Sequence, residues 1–194
     1  MNNLPEASVG LRETEVFWGE ISPNEHLVQF YPDQDIFLDT LEGYVVGGIL
    51  AGDAVVIIAT PANTIALVER LMSRGIDVEG ATARNQFMTF DAQETLSKFM
   101  FNGWPDEVSF ASVISTILLQ AKAGGRRVRA FGEMVALLWA QGNSGATVKL
   151  EHLWHNLCHD KSFSLFCAYP KSGFTQEAAA SIKEICDAHS RVVY

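Results

Sequence analysis

Ala54 to Ala59, in the stretch AVVIIAT, is unbroken apolar sequence rich in β-branched residues. A strand wetted on one face alternates apolar with polar residues. A run without alternation suits a strand covered on both faces, as in the middle of a parallel sheet. The run is far too short to cross a bilayer.

The flanking sequence supplies the covering layers. HLVQFY, from His26, reads as a short strand, and Asp33 to Leu50 repeats apolar residues at helical spacing through Ile36, Phe37, Leu38, Leu41, Val45 and Ile49. Gly52-Asp53 turns the chain into the apolar run; Pro61 and Asn63 then open a helix through Leu67, Val68 and Leu71 that Gly75 closes. Further on, Gln86–Asp91 reads as a strand, Gln93–Phe101 and Asp106–Lys122 as helices, and Val128–Met134 as a strand. Val135–Trp139 and Thr147–His159 read as helices around a Gly142/Gly145 break, SFSLFCAYP as a strand, and Thr175–His189 as a last helix. Strands alternating with helices predict an α/β fold, a mainly parallel sheet with helices on both faces. The domain is expected over residues 25–194, with residues 1–24 a tail or docking segment in which Val16, Phe17 and Trp18 are apolar enough to pack on something.

The formal charge of −9 argues against a nucleic-acid surface, which needs clustered Lys and Arg. The one basic cluster, Arg126, Arg127 and Arg129, reads as a solvated strand start. The 3 cysteines, Cys158, Cys167 and Cys186, form no CxxC pair and no even disulfide framework, which fits a reducing cytoplasm; the polar, acidic N-terminus is unlike a signal peptide.

In an open parallel sheet, ligands bind beyond the carboxyl ends of the strands. That rule selects Tyr31, Thr60 with Asn63, Asp91, Glu133 and Tyr169 as candidate binding residues. Glu133, directly after RAFG, is a carboxylate expected at a crevice or, equally, at a helix start where the macrodipole favours it. Gly47 to Gly75 has the frame of a RecA/KaiC-like nucleotide site. Its loop ATPANTIAL, however, lacks the glycines and lysine that wrap and reach phosphates, so ATP hydrolysis is not expected and no cofactor is assigned. The helix start at Asn63-Thr64 retains free N–H groups suited to a small anion or polar ligand. His152, His155 and His159 share one helical face, but no HExxH accompanies them and an exposed face is the commoner outcome, so no metal is assigned. The opposite face, with Leu150, Leu153, Trp154 and Leu157, reads as core. Cys167, inside FSLFCAY, reads as a buried structural thiol, and His26 as a capping or hydrogen-bonding group.

Taken together, HLVQFYPDQDIFLDTLEGYVVGGILAGDAVVIIAT, RAFGEMVALLWAQGN, LEHLWHNL and FSLFCAYP resemble the MEDS domain, the sensory domain of methanogens, methylotrophs and the regulator DcmR. The matching positions are His26, Phe30, Tyr31, Asp35, Gly52, Glu133, Trp139, Glu151, Trp154, Cys167 and Tyr169; His155 stands where a smaller polar residue is expected. The resemblance implies a RecA/KaiC-like three-layer sandwich and a role in prokaryotic signal transduction. It also implies a small hydrocarbon-derived ligand and a partner such as a histidine kinase or transcription regulator, or a second copy of the chain. No kinase or DNA-reading region is expected in this sequence, nor an association with nucleic acid or membrane. The expectation is a sensor and not an enzyme. The competing readings are a degenerate nucleotide-binding protein, a thiol or metal hydrolase, and a pure interaction module.

Overall fold

The computed structural model describes residue 18, residues 21–173 and residues 179–193. The chain runs β1 (His26–Tyr31), α1 (Gln34–Leu50), β2 (Ala54–Ala59), α2 (Pro61–Ser73), α3 (Val78–Ala83), β3 (Phe87–Asp91) and α4 (Ala92–Ser97). A small hairpin follows, β4 (Met100–Phe101) and β5 (Trp104–Pro105). Then come α5 (Glu107–Lys122), β6 (Val128–Gly132), α6 (Met134–Ala140), α7 (Ser144–Lys161), β7 (Ser164–Pro170), α8 (Ala179–Asp187) and β8 (Arg191–Val193).

The main sheet has 6 strands in the order β3-β2-β6-β7-β1-β8, and every pairing in it is parallel. The apolar run is β2, central as expected and buried at all of its positions. Its alternate residues feed two cores. Val55, Ile57 and Ala59 pack with α1 and α2 side chains such as Leu41 and Leu67, whereas Ala54, Val56 and Ile58 pack with Phe110, Leu118 and Trp154 from α5 and α7. The result is a three-layer α/β sandwich, with α1 to α3 on one face and α4 to α8 on the other. No helix among the described residues is long and apolar enough to cross a membrane.

The faces of α7 fall as the sequence reading has them: Leu150, Leu153, Trp154 and Leu157 are buried, and His152, His155 and His159 are exposed. Several expectations are corrected. The helix expected over Gln93–Phe101 stops at Ser97, because Asn102-Gly103, both at positive φ (50° and 81°), turn the chain into the β4–β5 hairpin. The strand ends at Gly132, so Glu133 and Met134 belong to the start of α6. The helix α7 begins at Ser144, capped by the Asn143 side chain, so Gly145 is helical. The last described helix ends at Asp187 and gives way to β8.

Arg129 is also not solvated. It is buried on the α1 face, where its Nε donates to Asp53 Oδ2 at 2.7 Å. Gly48 admits it, since a Cβ there would lie 3.0 Å from Arg129 Cδ. The Trp18 carbonyl accepts from Arg129 Nη1, and the Trp18 ring lies so close to Gly43 that a Cβ would meet it at 2.8 Å. Trp18 and Ile21, from the segment read as a tail, are therefore part of the α1-side core. Val16 and Phe17 lie outside the described residues.

Candidate functional site

The connections set the crevices. After β2 the chain passes to the α1–α3 face, and after the adjacent β6 it passes to the other, so their carboxyl ends form a switch point where backbones diverge. Glu133 stands on one side of this gap, its N–H donating to Ile58 O at 2.8 Å. Its carboxylate reaches across. Oε2 accepts the Thr60 N–H at 2.6 Å, and Oε1 accepts from Asn63 Nδ2 at 2.7 Å and from Thr60 Oγ1 at 3.3 Å. Asn63 Oδ1 in turn accepts from Gln34 Nε2 at 2.6 Å, so the carboxylate links the segments after β2 and β6 and Asn63 extends the chain of bonds to the segment after β1.

Thr60 makes no side-chain cap for α2. Glu133 supplies a negative charge beside that helix start, as the macrodipole favours, and accepts the Thr60 N–H. Tyr31 stacks on Phe37 at 4.8 Å between ring centroids, and burial, with Glu133 adding to it, pushes its phenol up to about 12. Beside this latch, between the ends of β2 and β3, an open depression of about 220 Å³ is lined by Ala59, Pro61, Thr64, Ile65, Thr89, Phe90 and Asp91.

Four of the six candidate binding residues, Tyr31, Thr60, Asn63 and Glu133, are thus neighbours or direct partners, and Asp91 lines the adjoining depression. Tyr169 does not join them. Strand alternation turns it to the opposite face, where it is fully buried beside Phe30 and Trp139 and donates its hydroxyl proton to Glu151 Oε1.

That bond leads to a second polar centre, sealed inside the α7-side layer. His26 from β1, Glu151 from α7, Cys167 from β7 and His189 from the turn before β8 bring one donor atom each to within 4.8 Å of one another. Glu151 Oε2 is at the middle: His26 Nε2 is 3.4 Å away, His189 Nε2 3.5 Å and Cys167 Sγ 3.7 Å, while Cys167 Sγ lies 3.5 Å from His26 Nε2. The imidazole orientations are fixed from behind. Nδ1 of His26 faces the Ala188 carbonyl at 3.1 Å and Nδ1 of His189 faces the Ile185 carbonyl. A carbonyl only accepts, so Nδ1 carries the proton in each ring and both Nε2 lone pairs point into the cluster. Ser190 reinforces this arrangement: its hydroxyl accepts from His26 N–H at 2.9 Å and donates to His26 O at 2.9 Å.

Burial dominates the ionisation of these groups. It lowers His26 to about 3, with His155 adding to the effect, and His189 to about 4 against the opposing pull of Glu151. It raises Glu151 and holds the Cys167 thiol well above the usual thiol range, the Glu151 charge adding to the latter. Each uncharged form is favoured because burial among apolar side chains disfavours charge.

Of this cluster, His26, Glu151 and Cys167 are family-motif positions in the sequence, whereas His189 is not among them. The helical histidine stripe contributes little: His152 faces Glu184 at 3.6 Å, and only His155 approaches the cluster, 6.1 Å from His26 between ring centroids.

The fold and the site define a three-layer α/β domain with a latched strand-end crevice and a buried histidine–cysteine–carboxylate centre. Its sequence matches the family model described as "MEDS: MEthanogen/methylotroph, DcmR Sensory domain" over residues 25–190, and the chain belongs to that family. No curated protein matches it.

Proposed function

We propose that this sensory domain works as a regulatory module and not as an enzyme, reading a small organic ligand at the β2/β6 crevice and passing the change to a signalling partner. The observation that carries the reading is the Glu133 latch, a side chain that ties the ends of β6 and β2 and, through Asn63 and Gln34, the segment after β1. A ligand hydroxyl or amine that competes for this carboxylate weakens the ties to Thr60 and Asn63, shifting α2 relative to α6 by its differential affinity for the two arrangements. Tyr31 and the neighbouring depression supply apolar wall.

Two features speak against turnover of a nucleotide. The loop after β2 lacks glycine and lysine, and the helix start beside it is taken by Glu133. A histidine kinase or transcription regulator is the partner class that the family suggests.

The test is thermal denaturation of the purified chain with nucleotides and with short-chain alcohols, aldehydes and acids, repeated on Glu133→Gln. Ligand binding to the native state raises the melting temperature by mass action. The reading expects a shift with one organic class that disappears in the variant. A shift with nucleotide alone would favour a degenerate nucleotide-binding protein, and no shift with any of them a pure interaction module.

A further inference from the structure

We propose that His26 Nε2, His189 Nε2, Cys167 Sγ and Glu151 Oε2 are the four ligands of a buried divalent transition-metal ion, with zinc the best match to the donor set. The site is separate from the Glu133 crevice, so neither reading depends on the other.

Geometry is the first support. A tetrahedron with metal–ligand bonds of about 2.1–2.3 Å has edges of roughly 3.4–3.8 Å. Four of the six separations among these atoms are 3.4, 3.5, 3.5 and 3.7 Å, and all six lie within 4.8 Å. Two imidazoles, a thiolate and a carboxylate form a mixed nitrogen, sulfur and oxygen set, which suits zinc better than magnesium or calcium.

The second support is hydrogen-bond arithmetic. With both Nδ1 protons committed to carbonyls, two imidazole lone pairs face one Glu151 oxygen and the Cys167 thiol, whose S–H is directed at Glu151 Oε2 and not at His189. His189 Nε2 is buried with no hydrogen-bond partner. An orphaned acceptor of this kind is costly in a dry interior, and a cation at the centre would satisfy all the lone pairs at once.

The surroundings match those of metal ligands. Each imidazole is oriented by a backbone carbonyl, and the remaining Glu151 oxygen accepts from Tyr169. Binding would release the Cys167 proton, together with any proton on Glu151, to solvent and hold both as anionic ligands. Four protein ligands leave no open position, so the ion is structural or regulatory and not catalytic. One ligand, His189, lies between α8 and β8, so the ion would fasten the C-terminal segment to the body of the sheet.

Chelator-treated full chain, titrated with cobalt(II) and then with zinc, tests this directly. The expected result is one equivalent of cobalt with a thiolate-to-metal charge-transfer band, displacement by zinc, and a rise in melting temperature. Cys167→Ser should lose the band, and His189→Ala should weaken zinc binding by on the order of 100-fold or more. Cys186→Ser and Cys158→Ser should keep the band, which assigns the thiolate to Cys167 even where Cys167→Ser does not fold. A folded, chelator-treated wild type that takes up no stoichiometric cobalt or zinc overturns the proposal. So does a band that survives Cys167→Ser.

Discussion

Glu133 and Glu151 are both buried or half-buried carboxylates beside a helix, yet their surroundings are opposite. Glu133 faces donors alone: a backbone N–H, a hydroxyl and an amide, all from residues just past β2. It stands at an edge where the chain diverges and the response to a competing ligand can be small and local. Glu151 Oε2 faces two imidazole lone pairs and a thiol, beneath a full helical layer, with only Tyr169 as a firm donor to its other oxygen. Both carboxylates have donors, but beside the second the buried His189 Nε2 has none. A carboxylate at an open edge suits exchange with a ligand, whereas one in a sealed layer beside an imidazole nitrogen without a partner suits permanent occupancy.

The largest effect is expected where the scaffold beneath the sealed centre is cut. Trp154 is fully buried, packs edge-on to Phe110 at 5.0 Å between ring centroids, and lies under Gly132 at the end of β6. Trp154→Ala should cost about 3–5 kcal/mol, and His152→Ala, on the exposed face, close to nothing. Denaturant midpoints of the two variants measure this, and equal midpoints would contradict the assigned faces of α7. Next comes Glu151→Ala, expected to cost roughly 3 kcal/mol because it removes the buried acceptor of the Tyr169 hydroxyl and leaves a cavity among the side chains around it. If that variant proved as stable as wild type, the centre would not be the tightly coupled unit the contrast requires.

Much of the fold was legible because hydrophobic period reports burial. The unbroken β2 run, the helical stripe of α1 and the apolar face of α7 each follow from it. The misses occur where period is silent. The helix α3, VEGATA, carries no apolar stripe, and β8, RVV, is too short to stand out. The hairpin was hidden because Leu96, Phe99 and Met100 continue a helical spacing, although the Asn102-Gly103 pair is a turn signal that weighs against it. Arg129 was misread because its partner Asp53 and the small Gly48 beneath it come from earlier elements.

The two candidate sites differ in the same way. The Glu133 crevice was accessible through a topological rule, since the residues after parallel strands meet at one edge. The sealed centre draws on positions 26, 151, 167 and 189, which only the tertiary fold brings together. One signal was available: Glu151 shares its helical face with Thr147, Trp154 and Cys158, all buried, and a carboxylate on a buried stripe demands partners.

A smaller effect tests how sealed the inner centre is. Cys186 is partly exposed, and its thiol is raised by burial and by Asp187, whereas burial pushes Cys158 up to about 12 and holds Cys167 well above the usual thiol range. Because the thiolate is the nucleophile, a thiol reagent on native protein should label Cys186 first and the other two only after unfolding. Mass spectrometry of the labelled peptides reads the order. Early labelling of Cys167 would show the centre open to solvent and remove the contrast with the crevice.

The smallest expected change in stability, and the sharpest test of the crevice, is Glu133→Gln. The carboxylate accepts from Thr60 N–H on one oxygen and from Asn63 Nδ2 on the other. Glutamine keeps one acceptor but turns an NH₂ toward one of these donors. Facing Asn63, it forces that amide to flip, which places Asn63 Nδ2 against the Gln34 amide; Gln34 is exposed and can flip in turn. The rearrangement relieves the clash at the expense of the helix-end charge, so the loss should be about 1 kcal/mol or less. The fold should therefore survive with little change in melting temperature. The consequence for signalling should be far larger, because the ligand's hydroxyl or amine meets a neutral amide where it needs a charged acceptor, and hydrogen bonds to charged groups are the stronger ones. Melting temperature and partner-coupled output measured side by side decide it. A variant that melts like wild type and responds like wild type would show that Glu133 only caps α2, leaving the crevice without its reader.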